Sequence, residues 1–348
     1  MYIRWGSQEF KRAHLILKVE MIHMSRTTLT SFRHNLKVFR LHNSFIPRDY
    51  QSSAQTCILN DGRTLGFAAF GSPGGKPLFY FHGTPSSRLE AEDWDKVARN
   101  MNVRLIGIDR PGLGLSSLPR RPYKLLDWPA DVQQLADDLR TDTFRVIGGS
   151  GGGPYAIACA KELSTQRLLK SGVLAGMGPI ESGFAGTSWQ RYLAFQINRW
   201  APPSWLHWVI DRYYVRPAQD LDPTVFQTKV IDEVIKTAFS QRDAELFKDP
   251  EFYERFVNTE RQAFVQGAAG YVQDAKIIFS PWGFDLKDVR GKVHLWYGTD
   301  DVFTPVNMGR YMAERLPNAK LTIYPDETHM SIFFQREEQV IADLLSDD

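Results

Sequence analysis

From Ser53 onward, apolar residues follow two alternating rhythms. The first is a short unbroken apolar run, as in KPLFYFHG (76–83), VRLIGIDRPG (103–112), FRVIGG (144–149) and LKSGVLAGMGP (169–179). Such runs are too short for helices and are bounded by turn residues, so they predict strands buried on both faces. The second rhythm repeats apolar positions every three or four residues, as in LEAEDWDKVARNM (89–101), DWPADVQQLADDLR (127–140) and PYAIACAKEL (154–163). These predict amphipathic helices, the middle one capped by Asp127 with Pro129 in its first turn. Upstream, SAQTCILNDGRTLGFAAFG (53–71) reads as two strands joined by a turn at Asn60-Asp61-Gly62. Strand and helix in alternation predict an α/β fold, a mostly parallel twisted sheet with helices on both faces.

The rhythm breaks between residues 181 and 285, where no buried strand is apparent. Aromatics crowd this stretch, among them Trp189, Tyr192, Phe195, Trp200, Trp205, Trp208, Tyr213, Tyr214, Phe252, Tyr253 and Phe256. Pro202-Pro203 and Asp249-Pro250 cut it into short helices. The alternation then resumes with KVHLWYGTDD (292–301), VNMGRYMAERLP (306–317), KLTIYPDETH (320–329) and one closing helix, SIFFQREEQVIADLL (331–345). The expected organisation is an α/β core of residues 51–180 and 286–348, split by a helical insertion at 181–285. The insertion's aromatics are expected to pack its helices together, with a few roofing an apolar pocket.

Residues 1–50 differ in kind. Lys and Arg outnumber acids there to give +6, although the whole 348-residue chain carries only +2. Leu29, Phe32, Leu36 and Phe39 recur at helical spacing with Arg33, Lys37 and Arg40 between them. This basic extension reads as a mitochondrial-type presequence, as a tail, or as upstream sequence added by a start at Met1 rather than Met21 or Met24, ahead of an otherwise cytoplasmic protein. A charged fraction of 24% against 43% hydrophobic residues fits a soluble globular chain. The small net charge gives no reason to expect a nucleic-acid partner, and no apolar run reaches the roughly 20 residues of an integral membrane segment. Cys57 and Cys159 are too few for a disulfide framework or a metal cluster. No metal or cofactor is called for, and oligomeric state leaves no mark on the sequence.

Ser150 stands in Gly148-Gly149-Ser150-Gly151-Gly152-Gly153, between a predicted buried strand and a predicted helix. A direct strand-to-helix reversal needs a sharp turn and small neighbours, which push the serine outward. The segment matches G-x-S-x-G in the context that motif requires. It fits a dinucleotide loop poorly, because Ser150 occupies the place of the second glycine, and it lacks the Lys-Ser/Thr of a phosphate loop.

Four further segments in the same order make the chain resemble the α/β-hydrolase superfamily over residues 52–348. His82-Gly83-Thr84-Pro85 looks like its H-G-x-P oxyanion loop. Asp109-Arg110-Pro111-Gly112-Leu113-Gly114-Leu115-Ser116 looks like the D-x-P-G-x-G-x-S loop at the site's rim. Gly298 to Pro305 resembles the G-x-x-D-x-x-x-P acid loop, and Glu327-Thr328-His329-Met330 the histidine loop. The resemblance implies Ser150 as nucleophile, His329 as general base and Asp301 as its acid, in the order this superfamily uses. It implies Thr84 and Gly151 N–H groups as oxyanion donors, with His82, Gly83 and Gly149 around them, and makes the insertion a cap. Spacing within the loop favours Asp301 over Asp300, and Glu181 is a substitute acid. His82 reads as a loop brace and His294 as packing. Thr328 stands where the family often has Gly, and Gly149 where it often has His, Tyr or Trp.

The expected activity is hydrolysis of an ester, thioester, lactone or amide of a fairly hydrophobic small molecule. The same triad could instead run C–C hydrolysis, lyase or dehydration chemistry, or persist in a ligand receptor. An aminopeptidase would need acids in the cap, for which Glu251, Glu254 and Glu260 are available.

Overall fold

The structure is a computed structural model that describes residues 54–346. The basic stretch read as a presequence or tail lies outside them. Eight strands form one sheet: β1 (Gln55–Ile58), β2 (Thr64–Gly71), β3 (Lys76–Phe81), β4 (Val103–Ile108), β5 (Phe144–Gly149), β6 (Leu168–Leu174), β7 (Val293–Gly298) and β8 (Ala319–Tyr324). Their order is β1-β2-β4-β3-β5-β6-β7-β8. β2 runs antiparallel to β1 and β4, and every other pair is parallel. The β1–β2 hairpin closes where expected: Gly62 N donates to Leu59 O at 2.8 Å, and Gly62 takes a φ of +82°.

Alternate side chains of a strand leave opposite faces of a sheet, and the two cores divide accordingly. Phe79 and Phe81 of β3 join a cluster with Trp128, Val146 and Tyr155. Leu78 and Tyr80 of the same strand join Trp94, Ile147, Trp296 and Ile341 on the other side. That is why the central strands are apolar throughout rather than alternating.

Helices α1 (Asp95–Asn100), α2 (Trp128–Asp138) and α3 (Gly153–Glu162) cover the first half of the sheet. Between β6 and β7 come α4 (Trp189–Trp200), α5 (Pro203–Ile210), α6 (Asp232–Ala238), α7 (Gln241–Leu246), α8 (Pro250–Ala263) and α9 (Ala269–Ile278). Ser240 and Asp249 cap α7 and α8 by accepting from Asp243 N and Glu251 N at 3.0 Å each. Leu206, Ile210, Phe226, Val257 and Phe264 give this region a core of its own. α10 (Val306–Ala313), α11 (Ser331–Gln335) and α12 (Glu337–Leu345) complete the chain.

Three local expectations need correction. Asp127 does not cap α2: its carboxylate accepts from Lys124 N at 2.8 Å, because a 3₁₀ turn at Leu125–Asp127 precedes the helix. The closing helix is two helices, broken where Arg336 leaves helical geometry at φ −124°, ψ 3°. The insertion's aromatics are less buried than expected, since Trp189, Tyr192, Trp200, Trp205, Trp208 and Tyr213 are exposed on α4, α5 and the π turn after α5.

Candidate active site

Ser150 follows β5 directly and opens the 3₁₀ turn that leads into α3. Its φ of +49° is one that non-glycine residues rarely adopt. The flanking glycines make the turn possible by close approach. A Cβ on Gly148 would lie 2.2 Å from Gly152 O, and one on Gly152 would lie 2.1 Å from Phe81 O. Gly149 has a separate reason to be small: its Cβ would meet the Phe333 ring at 2.6 Å. Phe333 thus fills the space that a large side chain before the serine would need.

Three loops at the C-terminal ends of β5, β7 and β8 bring distant residues together. His329 Nε2 lies 3.2 Å from Ser150 Oγ, and His329 Nδ1 lies 2.8 Å from Asp301 Oδ2. Asp301 is fixed in turn. Its Oδ1 accepts from Phe303 N at 2.7 Å and Thr304 N at 2.9 Å, and its Oδ2 accepts from Thr304 Oγ1 at 2.8 Å. With the Nδ1 proton directed at Asp301, Nε2 is left to accept from the serine hydroxyl. The imidazole stacks on Phe303 at 4.8 Å between centroids and meets the edge of Phe333 at 5.8 Å. Asp300 is exposed and takes only the Thr299 hydroxyl, at 3.1 Å.

The loop after β3 lies beside this chain. Thr84 leans on Gly151, whose Cβ would lie 2.4 Å from Thr84 Oγ1. Behind the loop is a buried polar knot. Arg110 Nη2 donates to Thr84 Oγ1 at 2.6 Å, to Gly83 O at 2.9 Å and to Asp274 Oδ2 at 2.8 Å. Thr84 Oγ1 and the Tyr155 hydroxyl also donate to Asp274, at 2.8 and 2.7 Å. His82 is fully buried here, its Nδ1 2.8 Å from Gly83 O and its Nε2 accepting from Arg110 N at 3.3 Å. Burial, and then the Arg110 charge, push its pKa well below the usual imidazole value, so it stays neutral and braces the loop. Asp109 and Arg110 therefore sit beneath the site rather than at its rim. Asp109 accepts from Arg88 N at 2.7 Å and Leu115 N at 2.8 Å, with no exposure.

A cavity of about 180 Å³ opens at Ser150 and His329. Trp94, Val234, Phe239, Phe256, Phe333 and Phe334 give it apolar walls, drawn from both the sheet domain and the insertion. Glu90, Asp93 and Glu260 also line it. Burial raises all three carboxyls: Glu90 and Glu260 shift upward, and Asp93 rises to about 6 despite an ion pair with Arg255 Nε at 3.0 Å.

Of the other residues singled out from sequence, Glu181, Glu251 and Glu254 are exposed and none lines the cavity. His294 is buried against Trp296, stacked at 4.0 Å, with its pKa pulled down to about 4 chiefly by burial. Cys57 and Cys159 are both buried free thiols. Among the described residues, no group of three or more His, Cys, Asp or Glu side chains is placed to hold a metal ion. No helix among them is long and apolar enough to cross a membrane. Sequence reasoning missed Glu90, Asp274 and Asp243. The partners of Asp274 and Asp243 lie as far as 190 residues away in the chain, so no local pattern could have marked those two.

A family model described as "Alpha/beta hydrolase family" matches residues 78–344. A proline iminopeptidase from Xanthomonas citri is 25% identical over 291 residues, covering 78% of this chain and 88% of the relative. A non-heme chloroperoxidase from Streptomyces lividans is 25% identical over 293 residues, covering 79% and 92%. Among solved structures, an esterase from Exiguobacterium antarcticum aligns with TM-score 0.59 at 16% identity, over 84% of this chain and all of that one. The enol-lactonase from Burkholderia xenovorans LB400 aligns with TM-score 0.58 at 18% identity, over 84% and 99%. The structural matches speak for the fold alone.

Proposed function

The chain belongs to the alpha/beta hydrolase family, and we propose that it cleaves an acyl bond of a fairly hydrophobic small molecule, with Ser150 as nucleophile. The observation that carries this reading is the continuous relay from Ser150 Oγ to His329 at 3.2 Å and on to Asp301 at 2.8 Å, at the mouth of an apolar-walled cavity.

A serine hydroxyl is a weak nucleophile until a base takes its proton. His329 Nε2 accepts that proton as Oγ bonds to the acyl carbon. Asp301 holds the imidazole in the right tautomer and stabilises the imidazolium. The N–H groups of Thr84 and Gly151 receive the developing oxyanion, each worth about 10²–10³ in kcat. Collapse expels the leaving group, which takes the proton from His329 and leaves an acyl-enzyme on Ser150. Water, deprotonated by His329, then attacks the same carbon and releases the acid with Ser150 regenerated. No metal or cofactor enters any step.

In this reading residues 181–285 act as a cap, supplying Phe239 and Phe256 to the cavity wall. The scissile bond is an ester, thioester, lactone or amide. A relative named as an iminopeptidase makes the amide reasonable to test beside the ester, thioester and lactone. Turnover of a panel of short and branched acyl esters, thioesters and anilides by the wild type and by Ser150→Ala tests the reading. Hydrolysis that vanishes with the serine supports it, and hydrolysis that survives refutes it.

A further inference from the structure

We propose that the Phe333 ring limits the size of substrate the cavity accepts, by filling a recess that Gly149 leaves open beside the nucleophile. This rests on the acyl-hydrolase reading above and adds a specificity-determining residue to it.

Gly149 has no conformational reason to be glycine. Its φ of −89° and ψ of 139° are ordinary extended backbone, open to any residue. Its side-chain space is taken instead. A Cβ there would lie 2.6 Å from Phe333 Cε1, 3.0 Å from Phe333 Cζ and 3.3 Å from the Tyr80 hydroxyl. The end of the ring thus reaches the backbone one residue before Ser150. Its edge also meets His329, at 5.8 Å between centroids. Phe333 therefore stands beside both the nucleophile and its base, where the reacting part of any substrate has to lie.

The ring is also pinned. Phe333 lines the cavity, yet it is 8% exposed and belongs to the core cluster of Tyr80, Trp94 and Ile147. Its backbone is held on both sides: Trp94 Nε1 donates to Phe333 O at 3.0 Å, and Phe333 N donates to Met330 O at 3.1 Å. The neighbouring Phe334 packs instead on Phe252 of α8, at 4.9 Å between centroids. A ring fixed in a close-packed core does not swing aside for a larger substrate group. Shortening it joins the recess above Gly149 to the cavity and leaves the triad's own side chains in place.

The test measures kcat/KM of the full-length enzyme on two ester series, one lengthening the acyl chain from methyl acetate to methyl decanoate, the other lengthening the alcohol from methyl acetate to decyl acetate. The wild type should fall off beyond a certain length in at least one series, which identifies the part of the substrate that meets Phe333. Phe333→Ala, and the milder Phe333→Leu, should move that cut-off to longer chains in the same series, by about fourfold in kcat/KM for each methylene newly buried. Gly149→Ala added to Phe333→Ala should take back part of the gain by returning a carbon to the recess. Gly149→Ala alone should lower the melting temperature, and should lower it less in the Phe333→Ala background, because the two sites share one space. A wild-type profile flat in both series, or a cut-off that stays in place in whichever Phe333 variants fold, overturns the proposal while leaving acyl hydrolysis standing. If no ester of either series is hydrolysed and Ser150 resists a fluorophosphonate, the acyl-hydrolase reading fails and takes the size limit with it.

Discussion

Thr328 donates its hydroxyl to Asp243, so the residue before His329 is tied to the helical insertion as well as to its own loop. Asp243 is 1% exposed, and its carboxylate also accepts from Met330 N at 3.2 Å and from Ser240 Oγ at 2.9 Å. α7 thus grips the histidine loop on both sides of His329. A glycine in place of Thr328 could not make this bond.

Asp243→Ala should therefore lower kcat by roughly 10–100-fold, because small misplacements of a catalytic group are expensive. KM should move little, and Thr328→Ser should stay near wild type because it keeps the hydroxyl. Steady-state kinetics with a melting curve for each variant checks this. An Asp243→Ala enzyme of normal kcat would show that the grip does not position His329.

Asp301→Asn should cost something like 10⁴ in kcat, by presenting the wrong histidine tautomer. Asp300→Asn should cost about tenfold or less, since the Asp300 side chain is exposed and its carboxylate accepts only from its neighbour's hydroxyl. Kinetics on the two variants, with circular dichroism to confirm folding, decides between the neighbours.

The Arg110–Asp274 pair is 1% and 2% exposed. Asp274→Ala leaves the guanidinium buried without its counter-charge, a loss of about 3–5 kcal/mol. The melting temperature should fall by roughly 10 °C. Turnover should fall as well, because the same carboxylate anchors Thr84. A variant that melts like wild type would show that the knot is solvated or redundant.

Glu260 has a pKa raised in the folded state, mainly by burial. Such a group contributes stability that is complete below its unfolded value and is lost as pH rises through the folded pKa. Burying Glu260 therefore costs the fold more as pH rises above its unfolded value. Glu260→Gln should stabilise the protein there, and the gain should shrink as pH falls toward the unfolded value of 4.5. Urea unfolding across that range measures it, and a gain that grows on acidification would contradict the sign.

Much of this was legible in the sequence, for identifiable reasons. Unbroken runs such as FRVIGG mark strands because burial on both faces leaves no polar positions. Gly148 and Gly152 mark the turn because the chain passes itself within van der Waals contact there. Asp301 could be chosen over Asp300 by the loop's spacing, and the structure gives only Asp301 a bond to His329. What stayed hidden depends on contacts between distant segments. Nothing local marks Asp243 or Asp274 as buried partners of loops 85 and 190 residues away. Glu260 could be named only as one acid among three in its helix, because α8 winds Glu251 and Glu254 into solvent and turns Glu260 to the cavity. The 3₁₀ turn that takes Asp127 from its capping role is equally invisible, since Asp127 two residues ahead of Pro129 reads as a cap in either case.

In the proposed reaction Ser150 carries the acyl group. Incubation with a fluorophosphonate, followed by peptide mass spectrometry, tests it most directly. One adduct is expected, on the peptide containing Ser150, with loss of hydrolysis in step with labelling and no adduct in Ser150→Ala. An enzyme that hydrolyses its substrate at full rate with Ser150 unmodified, or that is labelled at another residue in step with inactivation, would contradict it.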